Sequence, residues 1–342
     1  MTANQPTQRV SSDTIHTYWS NELKPAVTVQ PGDTVVIETL EASYGHVARN
    51  VRDLAQTGLD PALIEIIAAD AYPERFHPER DPSIRGGHAL TGPVAIDGAE
   101  PGDTLVVEIV DIAPAKWGYA SCSPRAERLG LLNDDLGDLD HDMHWFWDLR
   151  GGDYADFKPG IRVPIGPHPG VMGVAQAESG HLSTIPPRTN GGNMDIRHLQ
   201  PGATLYLPVL APGALFSTGD VHFAMGDGEV TGTGIEMNAD VTLRFDLLKG
   251  RTIPGPQLRT NGQPLSIPGP AFATTGFDPD VREAARIALR AMLDYMEREY
   301  TLTRPEAYIL ASVVVDLKIS QFVDRPNWTV AAYLPLAVFE RA

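Results

Sequence analysis

The strongest constraint on the fold is a unit that recurs three times: QPGDTVVIET at 30–39, EPGDTLVVEI at 100–109 and QPGATLYLPV at 200–209. Proline followed by glycine suits the two central positions of a type II turn. The apolar and β-branched run behind each pair favours extended backbone. Three turn-then-strand entries commit the chain to β-sheet. Their unequal spacing excludes a solenoid, and reuse of a good turn accounts for them better than an internal duplication.

The rest of the chain fits around these strands. Residues 1–13 read as a loose tail. HVARNVRDLAQ, from His46, has the pattern of a short helix, and Asp60-Pro61 supplies an N-cap and first-turn proline for ALIEIIAADA. ERFHPERDPSIRGG reads as a loop leading to His88. Residues 115–160 read as irregular, with Trp145 and Trp147 packing a surface loop onto the core and His141 and His144 among aspartates. The final third changes period. Asp278-Pro279 is expected to cap a helix with Val281, Ala285, Ala288, Leu289, Met292, Leu293 and Met296 on one face. Thr303-x-x-Glu306 is a capping box for a second helix over roughly 304–323. WTVAAYLPLAVF reads as a closing strand. The expected class is α+β and β-rich: β-sandwich-like sheets with a C-terminal helical layer. Residues 1–277 would form the core and 278–342 the helices and last strand, packed as one unit.

The formal charge of −17 argues against nucleic acid or an anionic membrane as partner. The single cysteine, Cys122, permits no intramolecular disulfide and no cysteine-based zinc knuckle, and no base stands beside it to make it a nucleophile. The polar start MTANQPTQRVSSD has no apolar leader core, and no run of about 18 apolar residues occurs. A soluble cytoplasmic protein is expected.

Candidate chemistry concentrates between Ile185 and Glu236, where Asp195, Asp220, His222, Asp227, Glu229 and Glu236 stand in a frame of glycines. Asp220 and His222, two apart on a strand, share a face. Asp227 and Glu229 repeat that spacing after a glycine turn. An Asp/His/Glu set without cysteine suits a catalytic zinc or another divalent ion. The same spacing also suits a glycine-rich turn whose carboxylates cap backbone N–H groups, and spacing alone leaves both readings open. With a metal, its water would be the nucleophile and Glu229, by position, the base. G-x-S-x-G, H-E-x-x-H, P-loop and dinucleotide-binding motifs are missing.

Longer motifs carry more. HALTGPVAIDGAEPGDTLVVEI, KWGY, PIGPHPGVMGVA, NGGNMD, GDVHFAMGDGE and AYILASVVVDLKISQFV occur in the order seen in the acetamidase/formamidase family, and the chain resembles that family over about 80–323. The resemblance implies hydrolysis of the carbon–nitrogen bond of a short amide to a carboxylic acid and ammonia. It also implies a homodimer or higher homo-oligomer and a divalent ion, zinc or calcium. Carried onto matching positions, it implies His88, Asp195 and His222 as metal ligands and Glu229, Asp227 and Asp220 as catalytic groups. Asn193 and Met225 are expected against the substrate.

Met225 stands where relatives often carry glutamine, and a thioether cannot replace the amide's hydrogen bonds. The 42–76 stretch, with an extra His46, also departs from the family pattern. These departures point to an amide larger, cyclic or more apolar than formamide or acetamide. They also leave an alternative, a non-catalytic small-molecule-binding protein on the same β-sandwich scaffold. A third reading confines the metal to stabilising a loop or subunit interface.

Overall fold

All three Pro-Gly units enter the same sheet. Gly32, Gly102 and Gly202 have φ of 97°, 98° and 88°, a region that side-chain-bearing residues rarely adopt. The strands that follow are Thr34–Thr39, Thr104–Pro114 and Thr204–Pro208. In the computed structural model, which describes residues 8–70, 87–125, 130–137, 139–185, 188–197, 199–253, 256–259, 271–321 and 328–339, they belong to a six-stranded sheet. Its order is Gln8–Val10, Thr34–Thr39, Ala239–Leu248, Thr104–Pro114, Thr204–Pro208, Gln257–Arg259. The tail is thus partly structured, because Gln8–Val10 pairs in parallel with residues 35–37.

A nine-stranded sheet lies over the first. Its main path runs Gly191–Asn193, His168–Gly173, Phe216–His222, Glu236–Met237, Trp117–Cys122, Met143–Asp148, with Leu90–Ile96 pairing on Phe216–His222. Val35, Ile37, Val107, Leu205, Val241 and Phe245 of the first sheet share one core with Val94, Met172, Phe216, Val221 and Met237 of the second. Phe216 meets Phe245 edge to face at 5.2 Å between centroids. This is the expected β-rich sandwich-like stack, and burial of these two inner faces is its main stabilising term.

The 115–160 stretch is not irregular. It supplies the strands Trp117–Cys122, Met143–Asp148 and Tyr154–Lys158. Trp147 stacks on Phe157 at 5.2 Å between centroids and Trp145 meets the same ring at a tilt at 4.3 Å, so alternating aromatics were the strand signal there. HVARNVRDLAQ forms two helical turns, His46–Arg49 and Val51–Leu54, and Asp60 caps the helix Pro61–Ala69 as expected. Val47, Ala48, Val51, Leu63 and Ile67 pack on Trp117, Tyr119 and Phe146, covering one face of the nine-stranded sheet. The loop expected after this helix lies largely outside the described residues.

Two helices form the C-terminal layer. Asp280, not Asp278, caps the helix Val281–Tyr300 by accepting from the Arg282 N–H, while Asp278 accepts from Asp280. The capping box at Thr303 and Glu306 starts the second helix, but that helix spans Arg304–Val314 and not 304–323. The β-branched run Val313-Val314-Val315 weakens helix propensity, and Asp316–Gln321 becomes a strand paired with Trp328–Pro335. Leu317 therefore lies on a strand and not on a helix face. The helical residues Ala288, Leu289, Met292, Ile309 and Val313 join the same core as the sheets. Among the described residues no helix is long and apolar enough to cross a membrane.

Candidate active site

A single transverse row of side chains builds the site. His168 stands opposite His222, His222 opposite Glu236, Glu236 opposite Tyr119, and Tyr119 opposite Phe146. Directly opposed residues share a face, so all five project to the side that the 46–69 segment covers beyond Tyr119. The Tyr119 phenol is pushed well above its ordinary value, first by burial and then by the charges of Glu41 and Glu236.

Around His222 the acids converge. Its Nε2 lies 3.1 Å from Glu236, 3.7 Å from Glu229 and 3.8 Å from Asp220 carboxylate oxygens. Asp195 with Asp220 and His222, and Glu229 with Glu236 and His222, each bring three ligand-type atoms within 4.8 Å of one another. His88 joins from the rim, with Nε2 3.8 Å from Asp220 and Nδ1 3.3 Å from the Thr184 hydroxyl. Two glycines make room for the cluster. A Cβ on Gly170 would sit 2.5 Å from an Asp195 oxygen and 2.7 Å from an Asp220 oxygen, and one on Gly234 would sit 2.9 Å from the His222 ring.

Three of these acids occupy left-handed backbone, Asp195 at φ 47°, Asp220 at 55° and Glu229 at 39°. Each such residue costs on the order of 1 kcal/mol or more, and such strain clusters at functional sites. Burial pushes Asp195 up to about 7 and Glu236 up to about 8, helped in both by the charge of Asp220. Burial also raises Glu229 well above the carboxylate range, with Asp195 adding to the effect. Burial opposes ionisation of Asp220 too, yet the charges of His88 and His222 hold it below its ordinary value. Burial alone would lower His222, but Glu236, Asp220 and Glu229 together hold it well above its ordinary value. Four carboxyl groups around one imidazole, Asp220 and Glu236 buried and Asp195 and Glu229 half-buried, are short of positive charge.

A divalent cation would supply that charge, and the donors fit one. An Asp195 oxygen, the second Glu236 oxygen and His222 Nε2 are buried without a hydrogen-bond partner among the described residues. They are oxygen and imidazole donors of the kind zinc takes. Glu236 also caps the glycine-rich turn, its Oε1 accepting from the Gly234 backbone N–H at 2.9 Å.

The structure thus brings together five residues expected from sequence: His88, Asp195, Asp220, His222 and Glu229. Asp227 is not among them; its side chain faces Lys318 at 3.8 Å. Met225 is buried just before the 226–229 turn. Asn193 lies opposite Val171 in the sheet, its Oδ1 buried and without a hydrogen bond among the described residues. Two members had no assigned role. Glu236 reaches His222 by cross-strand pairing, which spacing along the chain does not reveal. His168 stands between Pro167 and Pro169 in PIGPHPG, and that setting was its only signal.

Several proteins similar to this chain are amide hydrolases by name. The model of the Acetamidase/Formamidase family matches residues 77–181 and 176–341. The chain is 28% identical over 294 residues to an acetamidase of Mycolicibacterium smegmatis, spanning 69% of this chain and 66% of that protein. It is 26% identical over 387 residues to a formamidase of Methylophilus methylotrophus, spanning 95% of this chain and 89% of that protein. Among solved structures, a gamma lactamase from Delftia acidovorans superposes with a TM-score of 0.78 at 25% identity, covering 96% of this chain and 90% of that one. A predicted acetamidase/formamidase from the thermophile Thermoanaerobacter tengcongensis gives 0.60 at 27% identity, covering 97% and 96%. With a family model spanning most of its length, the chain belongs to the acetamidase/formamidase family.

Proposed function

We propose that the chain is an amidohydrolase that cleaves the C–N bond of a short or small cyclic amide at the His222 cluster, with a divalent ion, zinc by its donor set, held by Asp195, Asp220 and His222. The observation that carries this reading is the fully buried Nε2 of His222, ringed by carboxylate oxygens of Glu236, Glu229 and Asp220 at 3.1, 3.7 and 3.8 Å. When bound, the ion supplies Lewis acidity toward water and the amide carbonyl.

The remaining steps fall to the chain's own groups. Glu229 is 21% exposed and lies 3.7 Å from His222 Nε2, so substrate and water can reach it, and a carboxylate there is placed both to accept a proton and to return one. It takes the proton of the water whose oxygen adds to the carbonyl carbon. It then delivers that proton to the amide nitrogen as the C–N bond breaks, leaving a carboxylic acid and ammonia, or a free amine from a cyclic amide. Glu236 and Asp220 hold charge and orientation around His222. His88, on the rim, is placed to orient the carbonyl. The gamma lactamase named above supports a cyclic amide, and the acetamidase and formamidase support a linear one.

The family resemblance alone supports extending the reading to a homo-oligomer. The test is ammonia or amine release from a panel of linear and cyclic amides before chelation, after proven metal removal and after zinc addition. Loss and recovery of turnover are expected. Undiminished turnover by metal-free protein would remove the ion from the account.

A further inference from the structure

Two of the strained acids, Asp195 and Glu229, stand on loops, and one buried side chain ties those loops together. Asp316 begins the strand Asp316–Gln321, directly after the second C-terminal helix. Its Oδ1 accepts from the Arg197 guanidinium at 2.6 Å and from the Asp227 backbone N–H at 3.0 Å. Arg197 lies two residues beyond Asp195, and Asp227 lies two residues before Glu229. The carboxylate is 1% exposed and the guanidinium 14%.

The 226–229 turn is laid directly on the helix–strand junction. Gly226 N–H donates to Ser312 O at 3.0 Å, and Leu317 N–H donates to Asp227 O at 2.8 Å. A Cβ on Gly226 would lie 2.2 Å from Val315 O, and one on Gly228 would lie 2.9 Å from Leu317. Lys318 Nζ stands 3.8 Å from Asp227 and 4.0 Å from Asp316. Buried ion pairs are poor net stabilisers, because desolvation offsets their attraction, and their best-attested use is to fix one arrangement over others.

We propose that Asp316 and Arg197 form a positioning clasp that sets the separation and orientation of Asp195 and Glu229. The pair touches no substrate. It acts through the two loops it joins, and so gives the C-terminal layer a part in the chemistry. The proposal rests on the amidase reading for its kinetic consequence, but not for its structural one.

The experiment compares Arg197→Lys, Arg197→Met and Asp316→Asn with the wild type. Three quantities are measured: kcat and KM for amide hydrolysis, Zn²⁺ affinity of the metal-stripped protein by calorimetry, and hydrogen exchange over 192–197 and 226–231. Arg197→Met and Asp316→Asn should lower kcat about 10- to 100-fold, as loss of a group supporting a ligand does, with KM held within about 2-fold because uniform binding is untouched. Zn²⁺ binding should weaken about 10-fold or more. Both segments should exchange faster together, and Arg197→Lys should restore most of each property. Faster exchange in one segment alone, or in neither, overturns the clasp. So does wild-type kcat in Arg197→Met, or a loss that Arg197→Lys does not relieve. Should Asp316→Asn fail to fold, the two Arg197 variants decide. Absence of amide turnover in the wild type would overturn the amidase reading, while the exchange measurement still decides the clasp.

Discussion

His222 Nδ1 lies 3.4 Å from His168 Nε2, and that contact decides which face of the His222 ring meets the acids. His168 Nδ1 is 2.9 Å from Gly166 O, which can only accept, so this nitrogen carries the proton. His168 then presents a bare Nε2, and His222 donates to it from Nδ1. The Nε2 of His222 is left facing Glu236, Asp220 and Glu229. This is the outer partner that an imidazole ligand requires. His168→Phe should therefore lower kcat and zinc affinity about 10- to 100-fold while the protein stays folded. Steady-state kinetics and zinc titration check this, and unchanged zinc affinity would show that His168 does not orient the ring.

Gly170 is where the cluster leaves no space. Its Cβ would fall 2.5 Å from an Asp195 oxygen and 2.7 Å from an Asp220 oxygen. Gly170→Ala should cost about 100-fold in kcat/KM, the scale of an ångström's misplacement in a reacting array. Metal analysis of the same variant should show less than one zinc per chain. Full activity with full zinc would mean that these two carboxylates do not work together.

Glu229 and Asp227 are two residues apart, yet the structure separates them. Glu229 faces His222 at 3.7 Å, and Asp227 faces Lys318 at 3.8 Å. Glu229→Gln should lower kcat by about 10²- to 10⁴-fold, the usual contribution of a general acid–base. Asp227→Asn should have a much smaller effect. The reverse ranking would move the proton-transfer role to Asp227.

In metal-free protein the raised carboxyls make stability depend on pH. Burial pushes Asp195 up to about 7 and Glu236 up to about 8 in the folded chain, from ordinary values of 3.8 and 4.5. Between those limits the folded chain holds protons that the unfolded chain has shed, so stability falls as pH rises. Below the lower limits the contribution is complete, and by about pH 8 it is lost. The Tm of chelated protein should drop across pH 5 to 8, more steeply than that of Asp195→Asn with Glu236→Gln. Zinc should raise Tm most at the upper end, since binding displaces those protons. Parallel curves for wild type and double variant would contradict these assignments.

Much of this was legible before the structure. The Pro-Gly turns have a local mechanism, and all three lead into one sheet. Asp220 and His222 share a strand and do meet, at 3.8 Å, but Asp220 does so from left-handed backbone at φ 55° and not through plain period-two alternation. Glu236 was singled out without a role and His168 not at all, because both reach His222 through strand register across the sheet, not through spacing along the chain. The helix that stops at Val314 failed for a related reason. Leu317 fits a helical period, but the valine run and the pairing partner Trp328–Pro335 favour a strand. Asp227 was expected beside Glu229 by the same two-residue spacing, but between Gly226 and Gly228 the backbone turns, and its side chain faces Lys318 instead.

The central claim is that amide hydrolysis takes place at the His222 cluster. It is tested most directly by ammonia release from acetamide and formamide, with His222→Ala measured beside the wild type at matched concentration and confirmed folding. The wild type should release ammonia, and His222→Ala should lose that activity by about 100-fold or more, as expected for a group on which the acids and the metal both depend. Ammonia release by His222→Ala at the wild-type rate would contradict the account.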